Sequence, residues 1–243
     1  MNVIAIVQAR MGSTRLPGKV LCALGRHTAL ACVIKRVQRF RNIDSLVLAT
    51  TTERADDAVV TEAERYGAAV FRGDENDVLS RYYLAARQTH ADVIVRITAD
   101  CPLIDQEVSD HTIQQFLHYR PDYASNALQR TYPRGLDTEV MTFAALERAW
   151  KSATKPYERV HVTPYLYQNA DLFRLLSVKG ETDYSSCRWT LDTPEDLEFL
   201  REVFGRFGGS IDFTWRDVLA LLRREPELAQ KNSHIRQKAL HEG

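Results

Sequence analysis

The sequence contains no apolar run long enough to span a membrane and no closely spaced pair of cysteines. The missing apolar run argues against a transmembrane helix. Its four cysteines, Cys22, Cys32, Cys101 and Cys187, form no CxxC motif, so neither a zinc site nor a disulfide framework is indicated. We expect reduced thiols in a cytoplasmic protein. No signal peptide is expected, because nothing like a cleavage site follows the short first apolar segment.

Acidic residues are missing from the first 43 positions, where eight basic residues occur before the first acid, Asp44. The whole chain has a net charge of +0, so the remainder carries a net charge of −8. A locally basic N-terminal segment favours an anionic ligand. The four basic residues between Lys35 and Arg41 are expected on the solvated face of a helix. The overall charge balance argues against extended nucleic-acid binding, and no nucleic-acid partner is expected.

Two familiar phosphate-binding patterns are also missing. The segment Gly12–Lys19 resembles a P-loop, but five residues separate Gly12 from the Gly18-Lys19 pair, and Val20 follows the lysine. A P-loop has four intervening residues and a Ser or Thr after the lysine. The dinucleotide pattern GxGxxG is absent as well. P-loop ATPases and dehydrogenases are therefore disfavoured.

Apolar runs alternate with helical patterns along the first hundred residues. This alternation predicts strands at Val3–Val7, Ser45–Thr50, Ala68–Phe71 and Asp92–Ile97 and helices at Ala29–Phe40, Arg54–Tyr66 and Asp77–Gln88. Such an order predicts an α/β fold, with a mostly parallel sheet and helices on both faces. Ligands then bind at the carboxyl ends of the strands.

The second half is predicted to continue the same domain and to carry an arm. Helices are predicted at about Gln106–Tyr119, Phe143–Ser152, Glu158–Asn169, Glu195–Phe204 and Trp215–Arg223, and strands at Asp122–Ser125, Glu139–Met141, Phe173–Val178 and Arg188–Leu191. We expect one domain over residues 1–224, with the arm within about 126–178, and a polar C-terminal tail over 225–243.

The loop after the first strand carries the residues expected of a phosphate-binding loop. Gly12 allows backbone N–H groups to approach phosphate closely. Arg10 and Arg15 can bind phosphate oxygens in a bidentate way, and Lys19 adds a point charge. Three cations suit a triphosphate whose pyrophosphate leaves. The alternative is an ordinary surface loop with solvated arginines.

Two aspartates follow predicted strands and could hold the Mg²⁺ that a triphosphate requires. Asp100 follows the strand that ends at Ile97, and Asp192 follows the one that ends at Leu191. Mg²⁺ usually takes one or two carboxylates together with water and phosphate oxygens. Thr193 and Pro194 fit the first positions of a helix, so capping does not explain Asp192. The alternative for either aspartate is a turn carboxylate bonded to nearby amides.

Five segments in order resemble the cytidylyltransferases that activate acidic sugars, most closely the spore-coat-polysaccharide type. They are Ile6–Leu21, Val70–Ala86, Arg96–Asp105, Tyr132–Val140 and Arg188–Leu200. The resemblance implies a nucleotide-diphospho-sugar transferase-like (Rossmann-like) fold and a homodimer built with the arm. It also implies transfer of CMP from CTP to a nonulosonic or ulosonic acid, with Mg²⁺, for cell-surface polysaccharide biosynthesis.

The resemblance also implies roles for individual residues. The implied nucleotide-binding residues are Ala9, Arg10, Gly12, Ser13, Arg15 and Lys19. The catalytic residues would be Arg15, Lys19, Asp100 and Asp192, with both aspartates as metal ligands. The acceptor sugar would lie near Asn126, Arg134, Gly135, Asp137, Glu158 and His161. In the stretch Tyr157–Tyr165 the family usually has an acidic residue where this chain has Val160.

Two other functions remain open from the sequence. One is a nucleotidyltransferase that uses another nucleoside triphosphate and a sugar phosphate or phosphonate acceptor. The other is a relative that binds a nucleotide without catalysis, for regulation or scaffolding. The acceptor itself is set by pocket shape, which motifs do not encode.

Overall fold

The strand β1, Val3–Gln8, is an interior strand of a seven-stranded sheet in the computed structural model, which describes residues 1–240. The sheet order is β5-β4-β1-β6-β8-β7-β9, and β2 and β3 form a separate two-stranded hairpin. The remaining strands are β2 Ala23–Leu24, β3 His27–Thr28, β4 Ser45–Thr51, β5 Ala69–Gly73, β6 Val93–Thr98, β7 Tyr123–Ser125, β8 Glu139–Thr142 and β9 Leu175–Ser177.

The central strands are short apolar runs because helices cover the sheet on both faces. The α-helices are α1 Ala29–Val37, α2 Asp57–Arg65, α3 Val78–Gln88, α4 Gln106–Tyr119, α5 Phe143–Ser152, α6 Pro156–His161, α7 Pro164–Tyr167, α8 Pro194–Arg206, α9 Trp215–Arg224 and α10 Glu227–Gln230. Helices α1, α2 and α4 pack on one face, and α3 and α5 on the other. The predicted fold class is confirmed.

The register of the sheet brings two chain segments to the same edge. Gln8 at the end of β1 lies beside Ala49 of β4 and Thr98 of β6, and all three strands are parallel. The basic loop after β1 and the segment after β6 therefore begin side by side, at the carboxyl ends of the parallel strands. That is where ligands bind in folds of this kind.

Strand β8 interrupts the parallel arrangement. It runs antiparallel to both β6 and β7, and it places Glu139 opposite Arg96 near the same edge. β9 then pairs with β7 in parallel at the margin of the sheet. The part of the chain predicted as an arm thus contributes its strands directly to the main sheet.

Two predicted elements differ in the structure. The helix predicted over Glu158–Asn169 is interrupted between α6 and α7, because Val162 has a positive φ and the restricted X-Pro step before Pro164 follows. The strand predicted at Arg188–Leu191 is only a single bridge between Arg134 and Arg188. Successive amides of this segment bond to different partners, Trp189 N–H to Arg134 and Leu191 N–H to Asp100, so no ladder forms.

Contrary to expectation, one of the four basic residues between Lys35 and Arg41 is not on the solvated face of its helix. Arg36 is buried rather than solvated: its guanidinium lies 4.5 Å from the centre of the Phe213 ring. Its Nη1 donates to the backbone oxygens of Ile104 and Phe213. This arginine joins α1 to the C-terminal part of the chain.

Part of the C-terminal tail is folded. Within residues 225–240 the chain forms α10 and buries Leu228 and Asn232.

All four cysteines are free thiols. Among the described residues, none of the helices is both long enough and apolar enough to cross a bilayer.

Candidate active site

The basic loop is shaped by a glycine with a positive φ. Gly18 has φ 69°, and its N–H donates to Met11 O at 3.0 Å, which closes the loop. A 3₁₀ helix, Lys19–Leu21, follows directly. Glycine adopts this left-handed conformation without steric cost. The turn fixes the backbone of Lys19 and directs its side chain across the sheet edge.

Lys19 contacts both predicted metal-binding aspartates. Its Nζ lies 3.0 Å from Asp100 Oδ2 and 2.8 Å from Asp192 Oδ1. Arg15 joins the cluster through Nη2, which lies 3.2 Å from Asp192 Oδ2. The structure therefore brings together the four residues expected to carry catalysis. The two carboxylates share one ammonium group, and a second cation holds the far side of Asp192.

Backbone contacts explain why the two aspartates meet although 92 positions separate them in sequence. Leu191 N–H donates to Asp100 O at 2.8 Å, and the Thr190 hydroxyl donates to the same oxygen at 3.1 Å. After Asp192 the helix α8 begins, with Thr193 as its cap and Pro194 in its first turn, as predicted. One backbone oxygen thus ties the segment after β6 to the start of α8.

The charges of this cluster change the acidity of its members. Burial alone would raise the pKa of Asp100. The Lys19 ammonium and hydrogen bonds from Thr98, Lys19 and Cys101 outweigh burial and bring that pKa to about 2. Burial likewise acts to lower the pKa of Lys19, but attraction to Asp100 and Asp192 raises it overall. At neutral pH Asp100 is therefore ionised and Lys19 protonated, and the two form an ion pair.

The other predicted phosphate-binding residues lie along the same loop. Arg10 Nη1 donates to the backbone oxygen of Glu75 at 3.4 Å and lies 3.5 Å from its Oε1. Ser13 Oγ accepts the Leu16 N–H at 3.4 Å. Ala9 is buried, and a Cβ on Gly12 would approach Glu75 Oε1 at 3.4 Å. The Glu75 loop before α3 therefore covers this part of the basic loop.

The predicted acceptor residues fall into two groups, of which the first surrounds the Arg134–Arg188 bridge. Asn126 is buried and holds the neighbouring segment: its Nδ2 donates to Leu136 O at 2.8 Å, and its Oδ1 accepts the Thr138 N–H at 2.9 Å. Asp137 forms a bidentate pair with Arg130. Gly135 has φ 109°, and any Cβ there would lie 2.6 Å from the Trp189 carbonyl carbon.

The second group lies on α6. Glu158 is buried, and its Oε2 accepts the N–H groups of Thr154 and Lys155, both at 3.1 Å. This carboxylate caps its own helix. His161 ends the helix and forms a hydrogen bond with the backbone of Leu240. Burial, followed by the nearby charge of Arg96, lowers the pKa of His161, so its ring is neutral at physiological pH.

Comparison with known protein sequences identifies the family of this chain. A sequence model described as Cytidylyltransferase matches residues 4–235. The chain belongs to the cytidylyltransferase family. It is 32% identical to the spore coat polysaccharide biosynthesis protein SpsF of Bacillus subtilis, over 94% of this chain and 97% of that protein. It is 38% identical to an uncharacterized protein of Methanocaldococcus jannaschii, which it covers almost completely (100% of this chain, 99% of that protein).

Solved structures of cytidylyltransferases share the fold. A cytidylyltransferase from Leptospira borgpetersenii superimposes with a TM-score of 0.91 at 36% identity, over 98% of this chain and 100% of that one. A CMP:2-keto-3-deoxy-manno-octonic acid synthetase complexed with CTP gives a TM-score of 0.65 at 18% identity, over 85% and 99%, a likeness of fold alone. As a family member, this chain is a CTP-dependent nucleotidyltransferase that transfers a cytidylyl group.

A buried polar network in this cytidylyltransferase was not predicted from the sequence. Glu139 pairs with Arg96 and accepts hydrogen bonds from Tyr123 and, at 2.7 Å, from Thr163. Arg96 Nη2 reaches Gln8 Oε1 at 3.4 Å. These residues lie within strands or after a turn. At such positions the sequence pattern does not show whether a polar side chain points into the protein. The only available signal was a charged residue, Arg96, inside an apolar strand.

A strained turn places Thr163 and His161 beside this network. Val162 has φ 72° and ψ −56°, and Thr163 N–H donates to His161 O at 2.9 Å across it. A γ-turn of this hand is rare and strained, and a β-branched residue adopts it only when its surroundings enforce it. Val162 is fully buried. The packed core therefore fixes the direction in which both neighbours point.

The cytidylyltransferase site offers a donor set that fits Mg²⁺. Asp100 and Asp192 converge on one cation, and the basic loop lies beside them. Mg²⁺ commonly uses one or two carboxylates and completes its shell with phosphate oxygens and water. No group of three or more His, Cys, Asp or Glu side chains at metal-binding distance occurs within residues 1–240. Substrate oxygens would therefore have to supply the remaining ligands.

Proposed function

We propose that this chain transfers CMP from CTP to a hydroxyl group of an acidic sugar, a nonulosonic or ulosonic acid, for cell-surface polysaccharide biosynthesis. The observation that supports this most is the convergence of Arg15, Lys19, Asp100 and Asp192 at the carboxyl ends of the parallel strands. A 3-deoxy-manno-octulosonate cytidylyltransferase of Solibacter usitatus, 29% identical over 84% of this chain and 94% of that protein, supports the acceptor class.

The reaction is an in-line displacement at phosphorus. The acceptor oxygen forms a bond to the α-phosphorus of CTP, the bond from that phosphorus to the β-phosphate oxygen breaks, and pyrophosphate leaves. The hydroxyl proton is released to the medium. Such chemistry depends mainly on positioning and on neutralisation of charge. Arg15 and Lys19 stabilise the charge on the departing pyrophosphate, and the loop around Gly12 and Ser13 holds the phosphates.

Asp100 and Asp192 are the proposed ligands of Mg²⁺. An ion held there would supply charge neutralisation at the phosphate oxygens and orientation of the reacting groups. The residues available for the acceptor are those around the Arg134–Arg188 bridge and His161. Glu158 contributes to that side through its helix, since its carboxylate is engaged by backbone N–H groups.

A pyrophosphate-release screen tests this function. The purified chain is incubated with Mg²⁺, each of CTP, UTP, dTTP and GTP, and a panel of acidic sugars and sugar phosphates, and the nucleotide product is identified by mass spectrometry. We expect release only with CTP and an acidic sugar, and loss of release in Asp100→Asn. Preference for another triphosphate would contradict the proposal. CTP binding without release for any acceptor would indicate a non-catalytic relative.

We also propose a homodimer in the cytoplasm. Among the described strands β9 pairs with β7 alone, and an edge strand of this kind can pair with a strand of a second copy. Four free cysteines fit a reducing compartment. Light scattering coupled to size-exclusion chromatography measures the mass, and a monomer at micromolar concentration would contradict the dimer. Fractionation of cells tests the location.

A further inference from the structure

The chain beyond α10 runs behind Asp192 and contacts the residues that hold it. Asn232 is 2% exposed, and its Nδ2 donates to Arg188 O at 3.0 Å and to Asp196 Oδ1 at 2.9 Å. Five residues later, Gln237 Oε1 accepts a hydrogen bond from Arg188 Nη1 at 2.8 Å. Two side-chain amides of the tail thus contact the same arginine from different sides. Gln237 lies beyond residues 4–235, the range that the family model matches.

Arg188 and Asp196 are in turn the partners of Asp192. Arg188 Nη2 donates to Asp192 Oδ2 at 3.1 Å and to Asp196 Oδ2 at 2.8 Å. Asp196 Oδ2 also accepts the backbone N–H of Asp192 at 2.9 Å. One guanidinium nitrogen is therefore shared by two buried carboxylates, and one of those carboxylates fixes the backbone of the other.

The shared guanidinium makes the geometry of Asp192 sensitive to the tail. Asp196 is fully buried, so each of its oxygens needs donors, and Asn232 supplies one of them. Without that amide, Asp196 Oδ1 keeps only Arg188 as a donor. The arginine then shifts toward Asp196 and away from Asp192, because a buried carboxylate draws the remaining cation to itself. Gln237 resists the same shift by holding Nη1.

We propose that Asn232 and Gln237 are positioning residues for cytidylyl transfer. They hold Arg188 and Asp196 in the arrangement that presents the Asp192 carboxylate to Lys19 and to the metal. The inference rests on the proposed role of Asp192. Residues that orient a metal ligand from behind usually change metal affinity or activity by about 10- to 100-fold when replaced. The tail thus acts on Asp192 through Arg188 and Asp196.

The test compares Asn232→Leu with Asn169→Leu in the full chain. Both changes remove an amide that donates to a backbone oxygen, and the Asn169 amide donates to Tyr165 O of α7. We expect Asn232→Leu to lower kcat by about 10- to 100-fold and to raise the Mg²⁺ concentration for half-maximal activity. The control should change neither, and Gln237→Ala should show a smaller effect in the same direction.

A double-mutant cycle separates positioning from loss of stability. In an Asp192→Asn background, Asn232→Leu should have no further effect on residual turnover, because its action passes through the missing carboxylate. Additive effects in the cycle, or an unchanged Mg²⁺ dependence in the single variant, would overturn the proposal.

A readout that needs no turnover keeps the inference separate from the proposed function. In Asn232→Leu we expect faster hydrogen exchange at the amides of Asp192 and Thr193, both of which bind Asp196 Oδ2, with slow-exchanging amides of the central sheet unchanged. If the wild type transfers no CMP, faster exchange still supports the positioning role. Unchanged exchange at these two amides would refute it.

Discussion

Lys19 is predicted to act through its charge, and the structure places its ammonium group between Asp100 and Asp192. Its ammonium is largely enclosed and lies within 3.0 Å of both carboxylates. A charge in a partly dehydrated site acts more strongly on developing charge than one in water.

We expect Lys19→Met to lower turnover by about 10²- to 10³-fold, the loss typical when one donor to a developing oxyanion is removed. Methionine keeps the apolar stem, so the loss reports the charge. Lys151→Met is the matched control, because Lys151 lies on the surface with Glu147. Steady-state pyrophosphate release measures both variants. An unchanged kcat in Lys19→Met, with an effect only on the KM of the acceptor, would contradict this role.

The same lysine should also control stability in acid. The pKa of Asp100 is about 2 in the folded protein and 3.8 ordinarily, so its stabilising contribution is complete above about pH 5 and is lost as the pH falls toward 2. In Lys19→Met the main cause of the lowering is absent, and burial should raise this pKa instead. We therefore expect the free-energy difference between wild type and variant to shrink from pH 7 to pH 3. Urea unfolding at several pH values measures it, and a constant difference would disprove the coupling.

For single residues, the sequence indicated which charged side chains would meet at the sheet edge, but not which charged side chains would be buried. Lys19, Asp100 and Asp192 were identifiable because they follow strands or lie in a glycine loop, where side chains meet at one sheet edge. Arg36 and Glu139 were not, since the local pattern does not show which distant carbonyl or hydroxyl will satisfy a buried charge.

Among the structural elements, the Arg134–Arg188 bridge depends on one glycine. Gly135 combines φ 109° with backbone atoms of Trp189 and Thr190 within 3 Å of any added Cβ. A side chain here would push away the segment that leads to Asp192.

We expect Gly135→Ala to destabilise the fold by at least roughly 1–3 kcal/mol, the cost of a strained backbone residue, and to reduce turnover as well. Gly205→Ala serves as the control. It lies in α8 with no atom within 4 Å of its Cβ position, and alanine should stabilise that helix by about 0.5–1 kcal/mol. Thermal and urea unfolding measure both, and equal stability of the two variants would contradict the packing argument.

The elements predicted correctly are those with strong periodicity and clear ends. α4 matches its predicted span, and α8 was identified by its Thr193 cap and Pro194. The interruption at Val162 was missed because tertiary packing, not local preference, holds a valine at positive φ. The hairpin of β2 and β3 was missed because each strand has only two residues.

At the scale of the whole molecule, ligand binding should raise the free energy of unfolding. A ligand that binds only the folded state stabilises it by about 2.7 kcal/mol at a free concentration 100 times its Kd. We expect CTP with Mg²⁺ to raise the melting temperature more than UTP or GTP at equal concentration, and Arg15→Ala to reduce that shift. Differential scanning fluorimetry measures it, and equal shifts for all triphosphates would count against CTP preference.

The parallel direction of the first strands could be anticipated from the alternation of strands and helices, whereas the antiparallel direction of β8 could not. Its four residues pair antiparallel to β6 and β7, and nothing in so short a run distinguishes that pairing from a parallel one. Of the predicted acceptor residues, Asn126 follows β7 and Asp137 precedes β8, and these residues were predicted only through family resemblance.

The contact between Lys19 and Asp192 joins residues 173 positions apart. During synthesis the basic loop leaves the ribosome well before the second aspartate, and Asn232 follows later still. Until Asp192 has been made, a nascent chain has Lys19 without this partner. A product that terminates between the basic loop and Asp192 lacks one of the two carboxylates that Lys19 contacts, so this charge cluster forms only once the chain has been made past that residue.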